Sequence, residues 1–179
     1  MFKIVSGGQN GVDLLALEVA NSLGIITGGL APQNYMTSTG SNLDLRDKYG
    51  LTEDVKAISL SASYVLRSIK NVDNTDGTLA FQIVKSVGTS KTVGYCLHKK
   101  WMFPKTDNMD RPYAGHKPVL VIKDLENEDD LFRKIIDFIN TNNILSLNVA
   151  GNRDIIAAHD TAIRSLLTKV FGHVKEQIN

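Results

Sequence analysis

Three short segments combine glycine with amides and hydroxyls in patterns suited to anion recognition. Ser6-Gly7-Gly8-Gln9-Asn10-Gly11 follows the β-prone run Phe2 to Val5 and precedes apolar residues at helical spacing. Glycines let backbone N–H groups approach a ligand closely, and a helix N-terminus favours a phosphate or another anion. The spacing is neither G-x-G-x-x-G nor G-x-x-x-x-G-K-S/T, so neither nucleotide fingerprint applies. A tight strand-to-helix turn that binds nothing explains the loop equally simply. Gln9 and Asn10 carry amides that could read the edge of a base or pterin. Asp13 either contacts a ligand or completes a capping box with Asn10 at the positive helix end.

The second segment, Ser86-Val87-Gly88-Thr89-Ser90, occupies the same position between a later strand and helix. Two helix N-termini would then converge on one crevice and grip a negative group together. Thr89, Ser90 and Thr92 offer hydroxyl donors, although Ser and Thr also serve as plain N-caps. Ser90-Lys91-Thr92 resembles a Walker ending, but Ser90 stands where its glycine belongs. The third segment, Asn148-Val149-Ala150-Gly151-Asn152-Arg153, leaves a strand and either lines the same crevice or forms an ordinary turn.

These segments need elements to hold them. Val12, Leu15, Ala16, Val19, Ala20 and Leu23 give one helix, with Gly24 where a C-cap belongs. Ile25-Ile26 restart a strand that stops at Gly28-Gly29. Pro32 to Asp44 reads as loop and Leu43 to Gly50 as one short helix. Ala62, Val65, Leu66, Ile69 and Val72 mark another helix, and Gly77 to Val84 a strand. Val93, Cys96 and Leu97 open a third main helix, and Val119 to Ile122 is a strand entered through Pro118. Helical spacing returns at Phe132, Ile135, Ile136 and Ile139, then at Ile163, Leu166, Leu167 and Val170, with strand Ile144 to Val149 between. Five strands alternating with helices predict a parallel sheet covered on both faces. In such sheets ligands sit beyond the carboxyl ends of the strands.

Composition removes several functions. At about 150 residues per domain, 179 residues make one domain. Twenty Lys plus Arg against nineteen Asp plus Glu leave a charge of +1. That argues against a non-specific nucleic-acid or anionic-membrane binder, because both need surplus cations. One cysteine excludes an internal disulfide framework and a multi-cysteine metal site. Phe2 to Val5 is too short for a signal-peptide core, and no run approaches the roughly 20 apolar residues that span a bilayer. The expectation is a soluble, cytoplasmic protein.

Four segments in order resemble a known family. They are Lys3-Ile4-Val5-Ser6-Gly7-Gly8-Gln9-x-Gly11-Val12-Asp13, Thr27-Gly28-Gly29-Leu30-Ala31-Pro32, Tyr64-x-x-Arg67-x-x-x-Asn71-Val72-x-x-x-Asp76-Gly77-Thr78-Leu79, and Leu147 to Arg153. Together they resemble the "putative molybdenum carrier" proteins, in the superfamily that includes the lysine-decarboxylase-like (LOG) proteins. The resemblance implies a Rossmann-like α/β fold, a homo-oligomer, and a pocket for a nucleotide or pterin phosphate, with molybdenum cofactor as cargo. It implies ligand contacts from Gly28 and from Arg67, the latter at the arginine position of the LOG enzymes. Those enzymes hydrolyse nucleoside monophosphates with a P-G-G-x-G-T-x-x-E loop. Gly88-Thr89 match its G-T pair, but Val84-Lys85-Ser86 replaces P-G-G and Thr92 replaces the glutamate. The expected function is therefore binding of a phosphorylated small molecule, as carrier or sensor. A LOG-type nucleotide or N-glycoside hydrolase and a nucleic-acid-associated module are the alternatives.

Other residues have plainer readings. Arg67 could clamp a phosphate through its planar fork, or pair with a neighbouring helix. Asp76 falls at the edge opposite the crevice and reads as a turn-capping aspartate. Cys96 shares an apolar face with Val93 and Leu97 and reads as a small hydrophobe. His98, His116, His159 and His173 show no metal-ligand spacing. The acidic run Asp124 to Asp130 suits a helix N-terminus. Trp101 to Pro118 holds three of the four prolines and the only tryptophan, and is either a lid, a subunit contact or a packed loop.

Overall fold

A computed structural model of the chain describes residues 1–53, 59–97 and 117–178. The first half runs β1 (Lys3–Ser6), α1 (Val12–Ser22), β2 (Ile26–Ala31), a 3-10 turn (Gln33–Tyr35), β3 (Met36–Thr37), β4 (Gly40–Ser41), α2 (Asp44–Asp47) and β5 (Leu51–Glu53). The second half runs α3 (Leu60–Asp73), β6 (Gly77–Phe81), α4 (Val87–Cys96), β7 (Val119–Ile122), α5 (Glu128–Thr141), β8 (Ser146–Gly151) and α6 (Ala157–Ile178). Six strands form one parallel sheet in the order β5-β2-β1-β8-β6-β7, and β3 and β4 form a separate antiparallel hairpin. Helices α1, α5 and α6 pack on one face, α3 and α4 on the other. This is the three-layer Rossmann-like arrangement expected of alternating strands and helices.

Register explains how each face acquires its character. Ile4 aligns with Leu147, and Leu79 with Val149, while Phe81 follows two residues after Leu79. Side chains alternate along a strand, so all five lie on the α1/α5/α6 side and join its large apolar cluster. Val5, Asn148 and Thr78 align on the opposite side, and so do Ala80 and Ala150. The α5 stripe Leu131, Ile135 and Ile139 is buried at i, i+4 spacing. Its N-cap Asn127 accepts the Asp130 N–H at 3.1 Å, and Glu128, Asp129 and Asp130 fill the first turn. A second cluster, Leu17, Ala31, Tyr35, Leu45, Tyr49 and Leu51, closes the β5 end.

The structure corrects several boundaries. Strand β5 was not expected; three residues are too few for an alternation to show. The stretch from Pro32 to Asp44 contains the β3–β4 hairpin. Strand β2 continues through Gly28-Gly29 because both pair within the sheet, Gly28 with Val5 and Gly29 with Leu51. Strand β6 ends at Phe81, short of Val84, while β8 runs on to Gly151. Helix α4 begins at Val87, well before Val93, because Ser86 caps it by accepting the Thr89 N–H. Cys96 is buried, and burial pushes its thiol pKa up, as for an unreactive packing residue. The stretch 101–116, with His98 and His116, lies outside the described residues. Among the described residues no helix is long and apolar enough to cross a membrane.

Candidate functional site

A cavity of about 500 Å³ opens at the carboxyl edge of β1, β8 and β6, between α3 and α4. That volume lies in the range of small-molecule sites, roughly 300–1,000 Å³. Its walls come from four places: the β1–α1 connection, the α3 face with Tyr64 and Arg67, the start of α4, and the end of β8. Of the residues singled out in the sequence, Gly7, Gln9, Asp13, Arg67, Gly88, Thr89, Thr92, Asn148, Gly151 and Asn152 line it. Ser6, Gly8, Asn10, Gly11, Gly28 and Ser90 do not.

Each of those six is occupied elsewhere. The Ser6 hydroxyl donates to Val149 O at 2.9 Å. Gly8 lies against Leu45 and Leu51 of the second cluster, and Gly28 is paired within the sheet. Asn10 Nδ2 donates to Ser38 Oγ at 2.9 Å and Thr39 Oγ1 at 3.1 Å, holding the tip of the hairpin. Ser90 Oγ accepts from Gln82 Nε2 at 2.6 Å. Gly11, at φ 78°, is the N-cap of α1, and a Cβ there would meet Asn152 O at 2.3 Å.

That contact alters the expected pair of helix tips. The Val12 N–H donates to Asn152 O at 3.1 Å and the Leu14 N–H to Gln9 O at 3.0 Å. The protein's own backbone thus covers the tip of α1. At α4 the Val87 and Gly88 N–H groups have no protein acceptor among the described residues, and a Cβ on Gly88 would meet only Ser86 Oγ, at 3.9 Å.

Asp13 organises the centre of the site. Its Oδ1 accepts the Gly151 N–H at 3.2 Å; its Oδ2 accepts Arg67 Nη1 at 3.0 Å and the Gln9 N–H at 3.4 Å. The Asp13 and Arg67 side chains are 6% and 12% exposed, so this is a largely buried ion pair. The guanidinium lies against Gly7, where a Cβ would fall 0.9 Å from Nη1. Only glycine leaves room for that arginine. The i, i+3, i+7 spacing of Tyr64, Arg67 and Asn71 puts all three on one side of α3. Tyr64 OH donates to Met36 O at 3.4 Å, and Asn71 clamps Leu30 through N–H at 2.8 Å and O at 3.1 Å. The family motif is thus, physically, a row of side chains that ties α3 to the strand ends.

Two further amides shape the walls. Asn152 accepts the Val84 N–H at 3.1 Å and donates to Val84 O at 2.8 Å, fixing the β6–α4 connection. Asn148 Nδ2 donates to Thr78 Oγ1 across the sheet at 3.2 Å. Gln9 Oε1 and Arg67 Nε are buried with no partner. A buried polar group left unpaired costs about 1–3 kcal/mol. Arg153 lines the cavity at the end of the third segment, and Lys85, Lys91 and Asp154, to which the sequence assigned no role, line it too. Lys85 and Lys91 bracket the Ser86–Ser90 segment, which was the available signal. Among the described residues no three His, Cys, Asp or Glu side chains come together as metal ligands.

The fold agrees with a solved structure. A crystal structure titled "Putative molybdenum carrier protein" from Syntrophus aciditrophicus SB is similar at a TM-score of 0.70 and 27% identity, over 96% of this chain and 93% of that one. No curated protein matches. The model of the circularly permutated YpsA SLOG family matches residues 4–172, and the chain belongs to that family.

Proposed function

We propose that this protein binds a phosphorylated small molecule, nucleotide or molybdopterin-like, as a carrier or sensor. One observation carries the reading. In a chain of net charge +1, the cavity walls gather four cations, Arg67, Lys85, Lys91 and Arg153, against two carboxylates, Asp13 and Asp154. A concave site with surplus positive charge raises the local concentration of anions. The phosphate sits at the start of α4, where the Val87 and Gly88 amides are open and Lys85 and Lys91 flank them. Arg67, its charge matched by Asp13, offers an unpaired Nε–H from the α3 side. Gln9, Asn148 and Asn152 face the remainder of the ligand. The similarity to a protein named for molybdenum carriage supports a cargo role, and the family resemblance supports a homo-oligomer.

Asp13 lines the cavity, but both its oxygens are engaged, and Thr92 stands where LOG enzymes carry glutamate. Both points favour binding over hydrolysis. Thermal melting against nucleoside monophosphates and pterin phosphates tests this. A ligand at 100 times its Kd adds about 2.7 kcal/mol of stability. The expected result is a shift with the compound recovered intact by chromatography. No shift with any phosphorylated compound refutes the reading, and released base would make the protein a hydrolase.

A further inference from the structure

We propose that Gln9 makes the site selective for a ligand whose uncharged head carries a lactam edge, an N–H donor beside a carbonyl acceptor. The inference rests on the reading that the cavity takes a phosphorylated molecule. Gln9 is 5% exposed and lines the cavity directly after β1. Its Nε2 donates to Met36 O at 2.8 Å, and because a carbonyl can only accept, this contact fixes which way the amide is turned. What remains is Oε1, a buried acceptor with no donor. Buried polar atoms are nearly always paired, so an unpaired acceptor on a side chain that lines the cavity is a group that a ligand donor would satisfy. The Arg67 Nε is the other orphan, and it needs an acceptor. The two side chains belong to one assembly: Asp13 Oδ2 accepts both Arg67 Nη1 and the Gln9 backbone N–H.

Charge orients the ligand. On this wall Arg67 is matched by Asp13, so no free charge is left to hold an anion. At the start of α4 Lys85 and Lys91 bring two cations, while Arg153 and Asp154 line the cavity from the β8–α6 connection and offset each other. The phosphate therefore faces α4 and the uncharged head faces Gln9. Asn148, 2% exposed, lines the same cavity with a second amide. A head that carries both a donor and an acceptor has a partner for each orphan, whereas a purine ring with nitrogen acceptors alone has none for Gln9 Oε1.

Three probes separate the possibilities by titration calorimetry: inosine 5′-monophosphate, which has the lactam edge; purine riboside 5′-monophosphate, the same ring without it; and ribose 5-phosphate, without a ring. Inosine 5′-monophosphate is expected to bind on the order of tenfold tighter than purine riboside 5′-monophosphate. In Gln9→Met that ratio falls to about one. The wild-type ratio needs no variant, so it stands even if Gln9→Met folds poorly. Equal binding of the two purine compounds, or a ratio that survives in Gln9→Met, overturns the inference and leaves the parent reading intact. Preference for ribose 5-phosphate also overturns it, since the wall would then read sugar hydroxyls. Failure of all three probes to bind overturns both.

Discussion

The two faces of the sheet are built on opposite principles. Toward α1, α5 and α6 the strands present Ile4, Leu147, Val149, Leu79 and Phe81, all in one apolar cluster with Phe171 and its neighbours. Toward α3 and α4 they present Val5, Asn148, Thr78, Ala80 and Ala150, and α3 mixes its buried apolar residues Ala62, Leu66, Ile69 and Val72 with buried Ser63 and Asn71. The first face has no polar business and can be close-packed. The second uses small and polar side chains, which leave volume for a cavity and supply groups to line it. One domain can thus hold its stability on one side of a sheet and its recognition on the other.

The largest expected effect sits on the packed face. Phe171 is fully buried in α6, edge-on to Phe2 with ring centroids 6.4 Å apart. Phe171→Ala should cost about 3–5 kcal/mol in urea unfolding. Asn148→Ala, equally inaccessible on the other face, gives up one hydrogen bond to Thr78 and should cost about 1 kcal/mol. Equal losses would erase the division.

The exception on the cavity face is the ion pair. Arg67→Ala leaves Asp13 buried beside two N–H donors but without its cation, at an expected cost of about 3 kcal/mol. Asp13→Ala in the Arg67→Ala background should recover most of that loss, because the cost lies in the unpaired charge rather than the missing contact. Additive losses would mean that the two side chains act independently. Arg67→Ala should also reduce the melting shift produced by a phosphorylated compound, without abolishing it, because the anion faces α4 and Arg67 is matched by Asp13.

A rim substitution should separate binding from stability. Replacing Lys85 and Lys91 with Ala together should move the unfolding free energy by less than about 0.5 kcal/mol, as for surface residues generally. The same double variant should weaken ribose 5-phosphate roughly tenfold at low ionic strength, with the difference shrinking as salt is added. A variant that binds normally would move the anion away from α4.

The packed face was readable in the sequence because its signal is periodic. Val12, Leu15, Ala16 and Val19 mark α1 by their spacing, and Ile135 and Ile139 mark α5. β5 was not readable, since Leu51-Thr52-Glu53 is too short to alternate. The cavity was half legible. Gly7, Arg67 and the α4 start are marked by residue type, and Gly7 and Arg67 prove to be one feature, the glycine vacating the space the arginine fills. The covering of the α1 tip was invisible, because it comes from a backbone carbonyl, Asn152 O, and carbonyls leave no trace in residue identity. The orphan acceptor of Gln9 was hidden for a related reason: it depends on Met36 O, 27 residues away.

The smallest effect contrasts the two edges of the sheet rather than its faces. Asp76 stands at the amino edge, where its Oδ2 accepts the Ser146 N–H and hydroxyl, each at 2.7 Å, and the Leu145 N–H at 3.0 Å. Partial burial would raise its pKa, but these hydrogen bonds, with help from Lys117, outweigh burial and hold the carboxyl below its ordinary value. A carboxyl depressed in the folded state stabilises the fold fully above the unfolded pKa of about 3.9, and that stability drains away as pH falls through the lower folded value. The wild type should therefore lose more stability between pH 7 and pH 3, about one unit below the unfolded value, than Asp76→Asn does, as read from urea midpoints. Identical losses would show that the Ser146 contacts do not favour the charged form. Because Asp76 lies at the edge away from the cavity, Asp76→Asn should leave ribose 5-phosphate binding at pH 7 unchanged, whereas the rim lysines have the opposite signature, altered binding without altered stability.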